Sequence, residues 1–346
     1  MTLNYTTLTA LIAEHYTPIL YDQIFRKENY FVSLLKKNAK EYTDRRIEVP
    51  LEYGNMSRAK FTAPYEVVDL VPGDPVTAVY YDPKMLRDAI IVSDEEELVM
   101  NSDRAVKNII DVKMNNVMKG MQQVFLQNFW KRTTQGTYDW NNAKTIVSAT
   151  STLGGLAGSS YSWWQAKVVN LATSEWYSGY DAGNEDDLLN PASKCHMLKL
   201  IQRTYRAARY LTNESPTNMI IPEYCWDLLE FTYNSMKRAD MYHKGAAELG
   251  FTALNYHGVA IESDSWDVAA QSTNTDGYIW AFNTNYLYMF FNPGAKFTVG
   301  KWIEASNQGS KAAKIRTYGE VCCSNRQTQV CMQNVLSPTN WASMAA

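Results

Sequence analysis

At 346 residues, with 46% apolar and 20% charged side chains, the chain can bury a sizeable core and is too apolar to be disordered by composition. Its 33 basic and 36 acidic residues leave a net charge of −3, which excludes a surface coated throughout in phosphate-binding charge but not charge segregated by face. No apolar run of about 18 residues exists, and Met1–Tyr16 carries Glu14 within its apolar stretch and no basic lead, so neither a membrane span nor a secretory signal is expected.

The length allows two compact domains or one with large insertions. The 23 Tyr and 10 Trp suit half-buried surfaces, because each has an apolar body and a polar tip. Such side chains are enriched where proteins meet proteins, and an aromatic-rich core is the alternative that composition leaves open. The cysteines Cys195, Cys225, Cys322, Cys323 and Cys331 are odd in number and form no CxxC pair, which reads as reduced, mostly buried thiols of a soluble protein made in the cytoplasm.

Residues 3–42 read as helical, with Leu8, Leu11, Ile12, Tyr16, Ile19, Leu20 and Ile24 at helix-like spacing and Pro18 interrupting. The texture changes near residue 45. Arg46–Leu51 alternates like a strand, and Glu66–Leu70 and Val76–Tyr81 are rich in β-formers, with Pro72-Gly73-Asp74-Pro75 as a turn between them. Residues 50–92 are therefore expected to form an extended hairpin with too few large apolar residues for its own core. Arg58, Lys60 and Tyr65 lie on this arm, where the charges either keep it soluble or contact a neighbouring subunit.

Ser93-Asp94-Glu95-Glu96 fits a capping box, a hydroxyl at the N-cap and a glutamate at the third helical position. Behind it the spacing predicts a helix over 94–132, with Val99, Val106, Ile110, Met114, Val117, Met121, Val124, Phe125 and Phe129 on one face. One unbroken helix would be on the order of 55 Å long; two helices broken near Gly120 are the alternative. A flexible Gly/Ser/Thr loop, Ser148–Ser162, then leads to Trp163-Trp164, which read as an anchor at its end.

From 166 to about 285 the pattern is mixed: a helix at 195–211, a buried strand at 218–221, a helix at 222–237, a strand at 258–263, and a pair of apolar strands, Ile279–Phe282 and Tyr286–Phe291. Phe297–Ile303, Lys314–Tyr318, Glu320–Cys323 and Gln327–Met332 read as strands returning to an existing sheet. No internal repeat is visible.

The chain offers no catalytic signature. It has no G-x-S-x-G elbow, no Walker loop, no G-x-G-x-x-G and no H-x-x-x-H pair among its four histidines. The acidic run Asp181–Asp187 places Asp186 where a calcium loop needs glycine, so it reads as a solvated loop. No catalytic, cofactor-binding or metal-binding residue is assigned, and the chain is not expected to be an enzyme.

Three stretches carry a family resemblance: Thr152–Gly155 with Tyr161–Trp164, Leu254–Ile261, and Tyr278–Met289 with Gly319–Arg326. These stretches, in the order arm, hairpin, long helix, glycine-rich loop, α/β region and closing strands, resemble the major capsid proteins of tailed bacteriophages. The resemblance covers about residues 45–335 and implies an α+β chain with the Hong Kong 97-like fold. It implies residues 1–49 as an N-terminal arm and 50–92 as an extended loop. Residues 93–165 would be a peripheral domain with a spine helix, 166–285 an axial domain, and 286–346 the returning strands. It further implies hexamers and pentamers in an icosahedral shell around double-stranded DNA, assembled in a host cytoplasm and residing in the virion. The DNA would be contacted non-specifically, no membrane is involved, and scaffolding, portal and decoration proteins are the family's other partners. Some members weld their shells through Lys–Asn bonds; Lys60 lies in the right region, but no acceptor or acidic catalyst is nameable. Inter-subunit contact is assigned to Arg58, Lys60, Tyr65, Trp163 and Trp164. An encapsulin-like nanocompartment is the alternative within the fold, and an enzyme with an unrecognised site the remote one.

Overall fold

The computed structural model describes residues 38–54, 75–99, 103–133, 135–171, 196–237, 254–264, 277–304 and 309–335, together with 35, 61, 63, 64, 189 and 193. The elements in chain order begin with β1 (Lys40–Glu41), β2 (Ile47–Glu52), β3 (Val76–Tyr81) and β4 (Lys84–Ser93). Helices α1 (Asp94–Val99), α2 (Asp103–Phe129) and α3 (Ala143–Ile146) follow, then β5 (Thr152–Leu153), β6 (Leu156–Ala157), a 3₁₀ turn at Ser162–Trp164 and β7 (Lys167–Asn170). Next come α4 (Met197–Thr212), β8 (Asn218–Pro222), α5 (Glu223–Lys237), β9 (Leu254–Tyr256) and β10 (Val259–Asp264). The chain closes with β11 (Ile279–Phe282), β12 (Leu287–Phe291), β13 (Thr298–Val299), β14 (Ile303–Glu304), β15 (Ser310–Cys323) and β16 (Val330–Gln333).

Two six-stranded sheets organise the α+β chain. In the first, the 14-residue strand β15 is the axis. It pairs antiparallel with β4 along one edge, and with β14, β13 and β12 in turn along the other. Gly319 allows this close pairing, because a Cβ there would collide with the Phe290 carbonyl oxygen. One face of β4 and β15 (Ile90, Val92, Ile315) packs on Met121 of α2, with Met114 and Val117 alongside.

The second sheet runs β7-β16-β11-β8-β10-β9 and mixes parallel with antiparallel pairs. Its strands alternate between two cores. Met219, Ile221, Ile279, Ala281, Val330 and Met332 face the apolar side of α4 and α5. Ile220, Trp280, Phe282 and Cys331 face an aromatic core at the end of α2, where Trp130 meets Phe129 edge-on at 5.0 Å. The chain passes directly from a strand of one sheet to a strand of the other at 283–286 and at 324–329.

Several elements stand as expected. The capping box forms, with the Ser93 amide donating to Glu96 Oε2 at 3.1 Å and the Glu95 amide to Ser93 Oγ at 3.3 Å. Lys113 adds an ion pair to Glu96 at 2.6 Å, tying α2 to the start of α1. The helix and strand expectations over 195–237 and 258–263 hold within two residues.

Others need correction. Lys40–Glu41, read as the end of a helical arm, is a strand parallel to β12, because a free sheet edge satisfies its backbone. Residues 1–37, apart from buried Leu35, lie outside the described residues, as do the expected strand 66–70 and residues 72–74 of the expected turn. Lys84–Ser93 is no part of the hairpin but a full strand of the first sheet, its alternation reflecting one face on α2 and one in solvent. The hairpin base, as expected, has no core of its own and packs on the rest of the chain, where Ile47, Leu51, Val79 and Tyr81 enter the main core. The expected long helix is described as α1 and α2, with 100–102 outside; α2 passes through Gly120 without a break and is about 40 Å long. Val124, placed on its apolar face by spacing, is exposed, while Met121, Phe125 and Phe129 are buried. Ile279–Phe282 and Leu287–Phe291 are not a pair; each belongs to a different sheet.

At the start of β4 lies a buried carboxylate. Glu320 Oε1 accepts the amides of Asn141 at 2.6 Å and Val321 at 3.0 Å, and Oε2 lies 3.4 Å from Lys84 Nζ. Burial dominates over these contacts and pushes Glu320 up from 4.5 to about 7. A carboxyl whose pKa is raised on folding favours the folded state below pH 4.5 and loses that contribution as pH rises through 7. Glu320→Gln removes the titration, so wild-type stability relative to the variant should fall by up to about 3 kcal/mol across that interval. Denaturant titrations of both proteins at a series of pH values check this; parallel pH profiles would refute it.

Candidate assembly surface

The second crossing between the sheets carries the most heavily bonded side chain among the described residues. Arg326 is fully buried, and its electrostatic neighbours among the described residues are Cys323 and Tyr81 rather than a carboxylate. Its Nε donates to the Ile146 carbonyl at 2.9 Å and Nη1 to the Ser151 carbonyl at 3.0 Å. Nη2 reaches the carbonyls of Thr145 at 3.0 Å and Ser148 at 2.7 Å, and Ser151 Oγ at 3.0 Å. A planar guanidinium can serve so many acceptors at once because its donors spread in a fixed fork. The segment read as a flexible loop is thus folded around a cation, with β5 and β6 as a two-stranded hairpin within it.

The two crossings are also laced to each other. Gln329 Oε1 accepts the Asn283 amide at 3.0 Å, and Gln329 Nε2 donates to the Asn283 carbonyl at 3.1 Å. These buried polar groups satisfy one another, as burial requires.

Trp163 and Trp164 divide the anchoring. Trp164 is buried, its Nε1 donating to the Leu153 carbonyl at 3.1 Å and its ring 5.8 Å from the Arg326 guanidinium carbon. Trp163 is half-buried and turns outward, stacked on Tyr53 at 5.1 Å and tilted against Tyr161 at 5.5 Å. The loop also reaches the hairpin base. The Tyr80 amide donates to the Gly154 carbonyl at 3.1 Å, and Gly154, at φ +61°, leaves no space for a Cβ beside Val79. Tyr81 completes the joint: its hydroxyl donates to the Cys323 carbonyl at 2.6 Å and accepts the Cys323 amide at 3.2 Å. Burial holds the Tyr81 phenol well above its ordinary pKa, so it stays a neutral donor. The adjacent thiols are equally inert, burial pushing Cys323 up to about 12.

These parts enclose an open groove of about 360 Å³ between the hairpin base (Leu51, Tyr53), Trp163, and the crossing residues Tyr286, Asn325 and Gln327. Its walls are mainly aromatic and amide-bearing, with the carboxylate of Glu52 at the hairpin base. Of the residues assigned to inter-subunit contact, Trp163 and Trp164 meet here, while Arg58, Lys60 and Tyr65 lie outside the described residues. Sequence reasoning missed Arg326, Gln329 and Asn283. A polar residue between two apolar strands reads as an exposed turn, and only the 145–151 carbonyls, far away in sequence, reveal the burial.

No protein-family model matches the chain, and no curated protein matches it in sequence. Solved structures do match over nearly its whole length. A subunit of the cyanophage A-1(L) capsid superposes with a TM-score of 0.63 at 11% identity, covering 95% of this chain and 99% of that one. The SrpI encapsulin of Synechococcus elongatus PCC 7942 gives 0.54 at 9% identity, covering 98% of each chain. The capsid of a native GTA particle gives 0.53 at 12% identity, covering 96% of this chain and 99% of that one. The chain therefore has the fold of phage-capsid and encapsulin shell subunits.

Removing the two indoles should separate their roles. Trp164→Ala should cost about 3–5 kcal/mol of folding stability, since it empties a buried site and strands the Arg326 loop. Trp163→Ala should cost less, about 1–2 kcal/mol, because the half-buried ring gives up only part of a core residue's burial together with its aromatic contacts. Equilibrium denaturation measures both, and equal losses would contradict this division.

Proposed function

We propose that this chain is the structural subunit of a closed shell, a major capsid protein that assembles as hexamers and pentamers around double-stranded DNA. One observation carries the reading: the fold of shell subunits extends over 95% of this chain and 99% of the cyanophage subunit. The protein is then structural rather than catalytic, assembled in the host cytoplasm and resident in the virion. Scaffolding, portal and decoration proteins are its proposed further partners.

In this reading β2 and β3 are the root of an extended loop whose outer part, with Arg58, Lys60 and Tyr65, lies on the adjacent subunit. The root is fixed, because Val79 and Tyr81 are core residues locked to the glycine loop and to β15. A rigid root with a projecting end transmits a neighbour's position to the two-sheet joint. The groove beside Trp163 receives a segment of a neighbouring copy. Helix α2 is the spine of a peripheral domain, the second sheet with α4 and α5 is the axial domain, and the residues before β1 form an arm between subunits.

A second reading is an encapsulin-like compartment, favoured by the equally complete superposition on the SrpI encapsulin. Both readings need shells; they differ in cargo. Replacing residues 55–74 with a short Gly/Ser linker, which spares Val76–Tyr81, should abolish shells in electron micrographs while leaving the thermal transition of the subunit within a few degrees. Normal shells from that variant would refute the loop assignment. Nuclease-protected double-stranded DNA in particles purified from infected cells supports the capsid, and particles filled with protein alone support the compartment.

A further inference from the structure

A second cavity, of about 300 Å³, opens on the far side of the molecule's second sheet, between the C-terminal half of α4 and the β9–β10 turn. Tyr205, Arg206, Arg209, Tyr210, Tyr256 and His257 line it, and no carboxylate does among the described residues. The charge around it is one-sided. Helix α4 carries Lys199, Arg203, Arg206 and Arg209 and no Asp or Glu in its 16 residues, although the whole chain has a net charge of −3. The nearest carboxylate in sequence, Glu214, is already engaged by the Tyr286 hydroxyl at 2.6 Å and by Asn283 Nδ2 at 3.3 Å.

The rings are held in place by local structure. His257 and Gly258 take φ of +49° and +82°, the two left-handed positions of a tight hairpin turn between β9 and β10. That turn lays the exposed imidazole of His257 parallel to Tyr205 at 5.4 Å, with Tyr256 edge-on to it at 4.5 Å. Tyr210 is 78% exposed, with Lys167 Nζ 4.6 Å from its ring centre. Arg209 is braced, its Nη2 donating to Asn213 Oδ1 at 3.2 Å, where left-handed Asn213 ends α4. Arg206 is exposed and has no hydrogen-bond or ion-pair partner among the described residues.

Exposed guanidinium groups beside exposed ring faces are a composite recognition surface. The cations take phosphate oxygens, and the rings take the planar faces of unstacked bases. An acidic protein segment would use the first part and leave the second idle. A duplex would do the same, because its bases are stacked on one another. We propose that this cleft binds single-stranded nucleic acid, with phosphates on Arg206 and Arg209 and bases against Tyr210 and His257. The inference is independent of the shell reading and does not require it.

The test uses full-length protein stripped of nucleic acid, with fluorescence anisotropy of a labelled oligothymidylate of about 12 nucleotides, within the usual span of such sites, and of a duplex of equal length. The single strand should bind more tightly than the duplex. R206E/R209E should weaken single-strand binding at least tenfold and flatten its dependence on salt by about 1.4 in log–log slope, two phosphate contacts' worth. Tyr210→Ala should weaken it about tenfold and leave the salt slope unchanged. All three side chains are exposed, and an unchanged thermal transition verifies that the variants fold. Equal binding of duplex and single strand overturns the proposal, as does wild-type affinity in R206E/R209E. If that variant binds the oligonucleotide normally but fails to associate with other copies, the cleft is an interface between subunits and the proposal is wrong.

Discussion

The buried guanidinium of Arg326 is the constraint on which the joint between the two sheets depends. A cation with no carboxylate beside it among the described residues survives burial only where fixed dipoles surround it, and here four backbone carbonyls and a serine hydroxyl do so. Those carbonyls belong to residues 145–151, so the arginine dictates the path of a segment about 180 residues away. That segment then carries Trp164 into the core and Trp163 to the surface. Removing the guanidinium would leave several buried acceptors unpaired at once, a larger penalty than the loss of any one bond.

From that joint the architecture spreads in two directions. Strand β15 runs one way as the axis of the first sheet, pairing with strands from both halves of the chain. Strand β16 runs the other way into the second sheet, between β7 and β11. Asn283 and Gln329 lock the two crossings by a reciprocal pair of amide bonds, so neither sheet can rotate about one connection alone. The hairpin root is fastened to the same place through Tyr81 and Gly154. The hairpin root and the sheet joint are therefore coupled through direct hydrogen bonds.

Aromatic residues serve two purposes in this structure. At the end of α2, Phe129, Trp130, Trp280 and Phe282 form a closed core in which rings meet at 5.0–6.5 Å. Around Tyr53, Tyr161 and Trp163, and again at Tyr210, Tyr256 and His257, rings remain partly open to solvent. The abundance of Tyr and Trp in the composition divides between these uses, and only burial distinguishes them.

The sequence by itself determined the local elements: the capping box at Ser93–Glu96, α4 with its apolar face, the buried strand at 218–222 and the absence of catalytic motifs. Each depends on neighbours within a turn or two, where spacing and capping chemistry are decisive. The resemblance carried by the loop, strand and closing segments extended this to the fold. Tertiary structure alone decided that Ile279–Phe282 and Leu287–Phe291 part into different sheets, that Lys84–Ser93 joins β15, and that Arg326 is an internal cation. Those outcomes turn on which distant backbone satisfies a strand edge or a buried charge, and neither period nor composition encodes the partner. The two adjacent tryptophans show the limit most plainly: identical side chains, one residue apart, are sent to core and surface by a guanidinium they do not neighbour in sequence.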